Sequence, residues 1–228
     1  MKIRYLTGIC LTTLILTSAV YSGTGSLVVI ASSGQGNVAA GITRKADFVA
    51  CSVSLSSDKK TPEEKFTDIQ ATIKMITNAA RQNPKILVHS GPVTLSGDNA
   101  SSFSAKSLIF SSWDSYSVAR LTILVPIKDG NPNIFGGGLI IKQFFDGIKF
   151  PDKTKCVLSQ IYLAVENPEQ YRQEVLKAIA DSIGQVKEAL GKDIDFQLTG
   201  LANPVTVQQI DDENVNLFIN YALSVSTD

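Results

Sequence analysis

The chain has 228 residues, of which 44% are hydrophobic and 18% are charged, and its 21 basic residues balance 21 acidic ones. This composition is typical of a folded globular protein and excludes a disordered chain. The sequence has no basic block and no interleaving of aromatic with basic residues, which argues against nucleic acid as a partner.

The N-terminus has the pattern of an export signal. Lys2 and Arg4 give a positive start, Ile9–Val20 is a short apolar core, and small residues follow it. This is the order of a secretory signal peptide. The alternative is an uncleaved membrane anchor, although the apolar core is shorter than the roughly 20 residues that a spanning helix needs. We expect residues 1–26 to be a signal segment, residues 27–228 to be one domain, and the protein to be periplasmic or secreted.

The first half of the domain predicts a strand followed by a strongly capped helix. Asp47–Ser57 alternates apolar and polar residues, which is the period of a half-buried strand. Thr61 suits the N-cap of a helix, Pro62 suits its first position, and Glu64 completes a capping box, so a helix is predicted to about Arg81. Shorter extended segments are predicted at Leu27–Ala31, Lys85–Ser90 and Pro92–Ser96, and a polar loop at Gly97–Ser107.

The second half repeats strands and helices. Apolar spacing over Ile134–Ile148 predicts a short helix, although Gly136-Gly137-Gly138 opposes one. A long helix is predicted after Asn167-Pro168-Glu169, and Gly191 is a natural C-terminal stop for it. Strands are predicted at Ser117–Ile127, Cys156–Glu166, Ile194–Leu198 and Val205–Gln208, and finally over Asn214–Ser226.

The closing segment, Asn214–Ser226, shows the clearest alternation in the chain. Its odd positions are apolar, whereas its even positions are polar except for Phe218 and Ala222. This period predicts one strand with a dry odd face. We expect its odd face to be covered by the last helix through Ile183, Val186 and Leu190. Phe218 is the candidate contact with a second copy of the chain.

Taken in order, these elements predict an α+β fold. The helices pack on one face of a mostly antiparallel sheet. The order of the first six elements is that of a ferredoxin-like split β-α-β-β-α-β core, and a C-terminal helix and further strands are added to it.

Several stretches carry a resemblance to a known family. They are the Gly-rich strand and turn Val28–Val38, the strand and capped helix of Ala46–Arg81, the strand Tyr116–Pro126, the helix end Ala189–Lys192 and the strand Val215–Ser226. In these features the chain resembles the SIMPL-domain family of exported bacterial proteins. The resemblance implies a ferredoxin-like core with additional elements. It also implies the large ring- or channel-like oligomers that some members form. No catalytic residues are established for the family, so none are carried over.

No constellation of catalytic, cofactor-binding or metal-binding residues stands out. Gly34–Ala39 matches the dinucleotide fingerprint in form, but no convincing helix follows it to receive a pyrophosphate, so a turn is the better interpretation. His89 is the sole histidine. It adjoins Ser90, but neighbouring residues of a strand point to opposite faces, so the two do not form a natural base and nucleophile. We therefore predict no cofactor and no metal.

Two cysteines remain after removal of the signal segment. Cys51 shares the apolar phase of its strand, whereas Cys156 lies in the phase opposite Ile161 and Leu163. These phases predict two free, partly buried thiols, with a disulfide as the less favoured alternative. Trp113 lies in a polar stretch and is a candidate contact residue; the alternative is that it covers the core.

Two functional hypotheses follow. The first is a non-catalytic exported SIMPL-like protein that acts through self-association or binding, in envelope maintenance or stress. Its partner would be a second copy or an unidentified protein, and any membrane contact would come only through an uncleaved N-terminal segment. The alternative is a hydrolase with a site at His89 and Ser90 and a distant carboxylate such as Asp98.

Overall fold

A computed structural model describes residues 26–32, 40–89, 92–95, 102–104, 106–111, 116–127, 133–190 and 194–227. Its strands are β1 (Val28–Ile30), β2 (Gly41–Lys45), β3 (Phe48–Ser57), β4 (Leu87–His89), β5 (Pro92–Leu95), β6 (Ser102–Ser104), β7 (Lys106–Ser111), β8 (Tyr116–Pro126), β9 (Thr154–Glu166), β10 (Ile194–Thr199), β11 (Val205–Gln209), β12 (Asn214–Ile219) and β13 (Ala222–Thr227). Its helices are α1 (Pro62–Arg81), α2 (Ile134–Asp146) and α3 (Arg172–Leu190), and a 3-10 helix (Pro168–Tyr171) precedes α3.

The predicted α+β class is confirmed. The main sheet has the order β4-β8-β3-β9-β1-β5-β6, and β7 also pairs with β8. All of its pairings are antiparallel except that of β1 with β5. Two smaller sheets, β11-β12-β2 and β10-β13, combine the C-terminal strands with β2 from the N-terminal part of the chain.

Helices α1 and α2 pack on one side of the main sheet, against β3, β8 and β9, and α3 joins the same apolar layer through β2 and β12. The buried side chains of α1, α2 and α3 belong to one cluster with the odd-numbered residues of β3 and β8. The predicted capping box of α1 is present: Glu64 N–H donates to Thr61 Oγ1 over 3.2 Å, and Thr61 N–H donates to a Glu64 carboxylate oxygen over 3.2 Å. The helix predicted over the three glycines is also present as α2.

A β-bulge interrupts β9 at its centre. Cys51 faces Ile161 across the β3–β9 pairing, but Val53 faces Leu158, so β9 holds one more residue than β3 between these pairs. Ser159 fills the irregularity, because its Oγ accepts from Ser52 N–H over 3.0 Å and donates to Gln160 O over 3.0 Å. The bulge reverses the side-chain phase between the two halves of β9.

The main sheet curls so that its second face is also buried. Only two residues separate β4 from β5 in the sequence, so the Cα atoms of His89 and Pro92 lie no more than about 11 Å apart. Yet β4 and β5 lie on opposite sides of the strip β8-β3-β9-β1. The strip must therefore bend back on itself, which explains a buried cluster that contains no helical residue. Its members are Val28, Ile30, Ala50, Val93, Leu124 and Ala164.

Helix α3 covers one face of the β11-β12-β2 sheet. Val175 and Ile179 are buried in the same cluster as the odd-numbered residues of β12. Arg44 of β2 adds a polar contact: it forms a 2.9 Å ion pair with Glu174, and its guanidinium lies 4.2 Å from the centre of the Tyr171 ring. The hydrogen bond from Arg44 to Glu174 is the largest influence on the Arg44 pKa, and the net effect raises that pKa.

The 3-10 helix and α3 are tied to the segment before β11. Arg172 pairs with Glu169 over 2.7 Å and donates to the carbonyl oxygens of Leu201 and Asn203 over 3.0 and 2.8 Å. Glu169 in turn accepts from Val205 N–H over 2.8 Å. Burial, the largest contribution, would raise the pKa of Glu169, but the hydrogen bonds from Arg172 and Val205 outweigh it and lower that pKa.

The long helix predicted to open at Asn167-Pro168-Glu169 is present, since the 3-10 helix Pro168–Tyr171 runs directly into α3; Asn167 before it has φ of 45°. Two sequence predictions about the elements were wrong. Ser102–Ser104 and the first residues of Lys106–Ser111 form strands where Gly97–Ser107 was expected to be a loop. The closing segment is not a single strand, since it divides into β12 and β13, which belong to different sheets.

Candidate functional site

The division of the closing segment occurs at Asn220-Tyr221. Asn203 Nδ2 donates to Asn220 O over 2.7 Å, so this carbonyl is held by a side chain of the neighbouring turn. Gly200, at that turn, has φ of +86°, and a Cβ there would lie 2.9 Å from Asn220 O. The chain therefore leaves the first sheet at Asn220 and enters the second at Ala222.

Phe218, the predicted contact residue, lies near the end of β12 and is half-buried. It faces Thr206 on one side and Gly41 on the other. A Cβ at Gly41 would lie 2.4 Å from Leu217 O and 3.0 Å from the Cβ of Phe218, so glycine is needed where β2 passes the Phe218 side chain. Phe218 thus lies on the face opposite the one that α3 covers.

The rest of this even face is covered within the chain. Asn216 is only 3% exposed, and its neighbour in register, Gln208, is 9% exposed. The Nδ2 atom of Asn216 has no hydrogen-bond partner, which is a costly arrangement for a buried amide. A contact surface on this face is therefore confined to the Phe218 end.

The prediction that α3 covers the odd face through Ile183, Val186 and Leu190 is corrected by the structure. Val175 and Ile179, in the N-terminal half of α3, are the buried residues of this helix. Ile183 and Val186 are half-buried, but Leu190 is 55% exposed. The covering contact therefore fades toward the C-terminal end of α3.

Several predicted site residues lie outside the described residues. These are Trp113, Ser90, Asp98 and the Gly34–Ala39 stretch.

His89 lies on the inner face of the curled sheet and is 4% exposed. Its register partner on β8 is Thr122, which in turn faces Ser52 on β3. Side chains opposed in this way have Cβ atoms about 4.5–5.5 Å apart, so an imidazole and two hydroxyls form a row across three strands. Thr122 is also buried. The sequence did not identify this row, because its members come from strands whose pairing only the fold determines.

The bulge overturns the phase argument about the cysteines. Cys156 faces Leu55, so below the bulge it lies on the same side of the sheet as Cys51. Both thiols are free. Their positions differ by four residues along the strands, a separation of about 13 Å, which exceeds the roughly 7 Å that a disulfide allows between Cα atoms. Burial raises the pKa of Cys51, and burial together with the nearby Cys51 raises the pKa of Cys156 to about 11.

The carboxylate of Asp211 stabilises the acidic turn Asp211–Glu213, which precedes β12. Asp211 Oδ1 accepts from the N–H groups of Glu213 and Asn214 over 2.8 and 2.7 Å, and the Asn214 side chain donates to both of its carboxylate oxygens. These hydrogen bonds, led by that of the Asn214 side chain, lower the pKa of Asp211. Within the described ranges, no group of three or more His, Cys, Asp or Glu residues is placed to hold a metal ion.

Large apolar side chains are also exposed away from the closing segment. Phe135 and Leu139 lie one turn apart on α2 and are 76% and 55% exposed, and Ile210 is 50% exposed. No helix among the described residues is long and apolar enough to cross a membrane.

In comparisons with known proteins, no family model, no curated protein and no solved structure matches the chain.

Proposed function

We propose that this chain is a non-catalytic exported protein of the SIMPL-like kind, acting in the cell envelope through self-association. Phe218 carries the proposal. It is a large aromatic side chain that is only half-buried, on a sheet face that α3 does not cover and at the end of an otherwise buried row. Aromatic residues, phenylalanine among them, are enriched in protein interfaces relative to the rest of the surface.

Two further observations support the non-catalytic and SIMPL-like parts of the proposal. The one histidine of the chain is buried inside the sheet, which favours a structural role over the hydrolase alternative. The strands β4, β8, β3 and β9 lie in this order with antiparallel neighbours, and we interpret them as the split β-α-β-β-α-β unit expected from the resemblance. Export rests on the N-terminal pattern of Lys2, Arg4 and Ile9–Val20.

Light scattering on the purified protein tests this proposal. The wild type is expected to form an oligomer, and Phe218→Asp is expected to reduce its mass while leaving the circular dichroism spectrum unchanged, because a carboxylate is costly to bury in an interface. Phe135→Asp is the matched control, since it makes the same change at a more exposed phenylalanine on another surface. A wild type that stays monomeric at every concentration refutes self-association.

A further inference from the structure

The outer edge of β13 is an unprotected strand edge. All six residues of β13 pair with β10, from Ala222 opposite Thr199 to Thr227 opposite Ile194. Along the described stretches, β13 has no strand partner on its other side. Such an edge presents a row of backbone N–H and C=O groups that can pair with another strand.

Other edges of the described sheets are short, already occupied or charged. β4 and β6 have three residues each, and β11 exchanges backbone hydrogen bonds with Ser32. β2 is the edge of its sheet and contains Arg44 and Lys45, which pair with Glu174 and Glu213. β10 contains Asp195. In contrast, β13 reads Ala-Leu-Ser-Val-Ser-Thr, with no charge and no proline. It therefore lacks the residues with which proteins commonly block edge pairing.

We propose that β13 pairs antiparallel with β13 of a second copy, which joins two β10-β13 ribbons into one four-stranded sheet. A two-fold axis at Ser224 places Leu223 in register with position 225 of the second copy, so odd positions of one strand meet odd positions of the other. The identical strand supplies this match, which an unrelated peptide supplies only by chance. A two-stranded ribbon is also marginal by itself, and the pairing gives each ribbon a larger sheet.

This interface deepens the proposed function and rests on the self-association proposed there. Phe218 lies four residues before Ala222, so the two surfaces are adjacent in the closing segment, but they differ in chemistry. Phe218 would contribute an apolar side chain, whereas β13 contributes backbone hydrogen bonds. The two contributions can be separated by mutation.

The test places a like charge at the centre of the pairing. Ser224 has an exposed side chain, and Ser224→Lys sets two lysines opposite each other across the two-fold axis. Like charges in directly opposed positions destabilise strand pairing, so the dissociation constant of the oligomer is expected to rise about fivefold. Gln197→Lys is the matched control. Gln197 is exposed and faces Ser224 on β10, so this variant adds the same charge to the same ribbon at the other strand, and a change of less than about threefold is expected.

A mixing experiment separates a specific pairing from a general loss of structure. Ser224→Glu alone is expected to dissociate as Ser224→Lys does, and an equimolar mixture of the two is expected to restore the wild-type mass through opposite charges across the axis. Hydrogen exchange of the β13 amides in the wild type is expected to slow as the protein concentration rises.

An oligomer that persists in Ser224→Lys but is lost in Phe218→Asp overturns the edge pairing and leaves the proposed function standing. The edge pairing is also overturned if Ser224→Lys and Gln197→Lys raise the dissociation constant equally and the mixture of Ser224→Lys with Ser224→Glu does not restore the wild-type mass. A monomeric wild type overturns both proposals.

Discussion

Gly137 lies where a helix packs closely on the main sheet. It lies in the first half of α2 and faces Val49 of β3. A Cβ added there would lie 2.5 Å from Val49 Cγ2 and 2.7 Å from Val49 Cβ. Val49 is fully buried between Val125 and Leu163 on the adjoining strands, so it has little room to move away. We therefore expect Gly137→Ala to force the helix and the sheet apart.

The expected magnitude comes from two opposing terms. Replacing glycine by alanine inside a helix favours folding by about 1 kcal/mol. Overpacking a core costs about 1–3 kcal/mol. Gly184→Ala in α3 isolates the first term, because a Cβ there meets nothing within 4 Å. The free energy of unfolding of Gly137→Ala should thus lie about 1–3 kcal/mol below that of Gly184→Ala.

Urea denaturation followed by far-ultraviolet circular dichroism measures this difference. Gly138→Ala is the neighbouring control, since its Cβ would make an ordinary 3.5 Å contact with Ile161. It should resemble Gly184→Ala. If Gly137→Ala is as stable as Gly184→Ala, the inference that α2 lies too close to β3 for a Cβ at Gly137 is wrong.

Two further predictions concern titrating groups. The pKa of Glu169 is lowered in the folded state, so its contacts stabilise the fold above the ordinary pKa of about 4.5, and this stabilisation is lost as pH falls through the lower folded value. In urea denaturation, Glu169→Gln should therefore be less stable than wild type at pH 7, and the difference should be smaller below pH 4. A difference that stays constant with pH would contradict this. With a pKa of about 11, Cys156 at pH 8 is a thiolate in only about one molecule in a thousand. Alkylation of Cys156, followed by mass spectrometry, should therefore be about 100-fold slower in the native protein than in urea. Equal rates would show that the thiol is not shielded.

Local signals in the sequence were sufficient for the helices. Thr61, Pro62 and Glu64 interact within one turn, so their capping box is predictable without knowledge of the remaining chain. The sequence of α2 is a less direct signal for a helix, because it contains a run of glycines. Its low helix propensity is overridden by packing, because Gly137 allows the close contact with Val49.

Pairings between distant strands were not predictable from the same signals. The phase argument that placed Cys156 opposite its apolar neighbours assumed a regular strand, but one extra residue at Ser159 reverses the phase of β9. The row of His89, Thr122 and Ser52 escaped prediction for a related reason, since register between strands is set by the whole sheet.

The closing segment has one feature that the local sequence determined and one that only the tertiary structure determined. Its alternation determined by itself that the chain is extended there with an apolar odd face, because side chains of a strand alternate between two faces. Only the tertiary structure decided that the chain changes sheets at Asn220, since the carbonyl there accepts a hydrogen bond from Asn203, 17 residues earlier in the chain. That contact separates Phe218 on the covered sheet from β13 with its open edge, and no local pattern in the sequence encodes it.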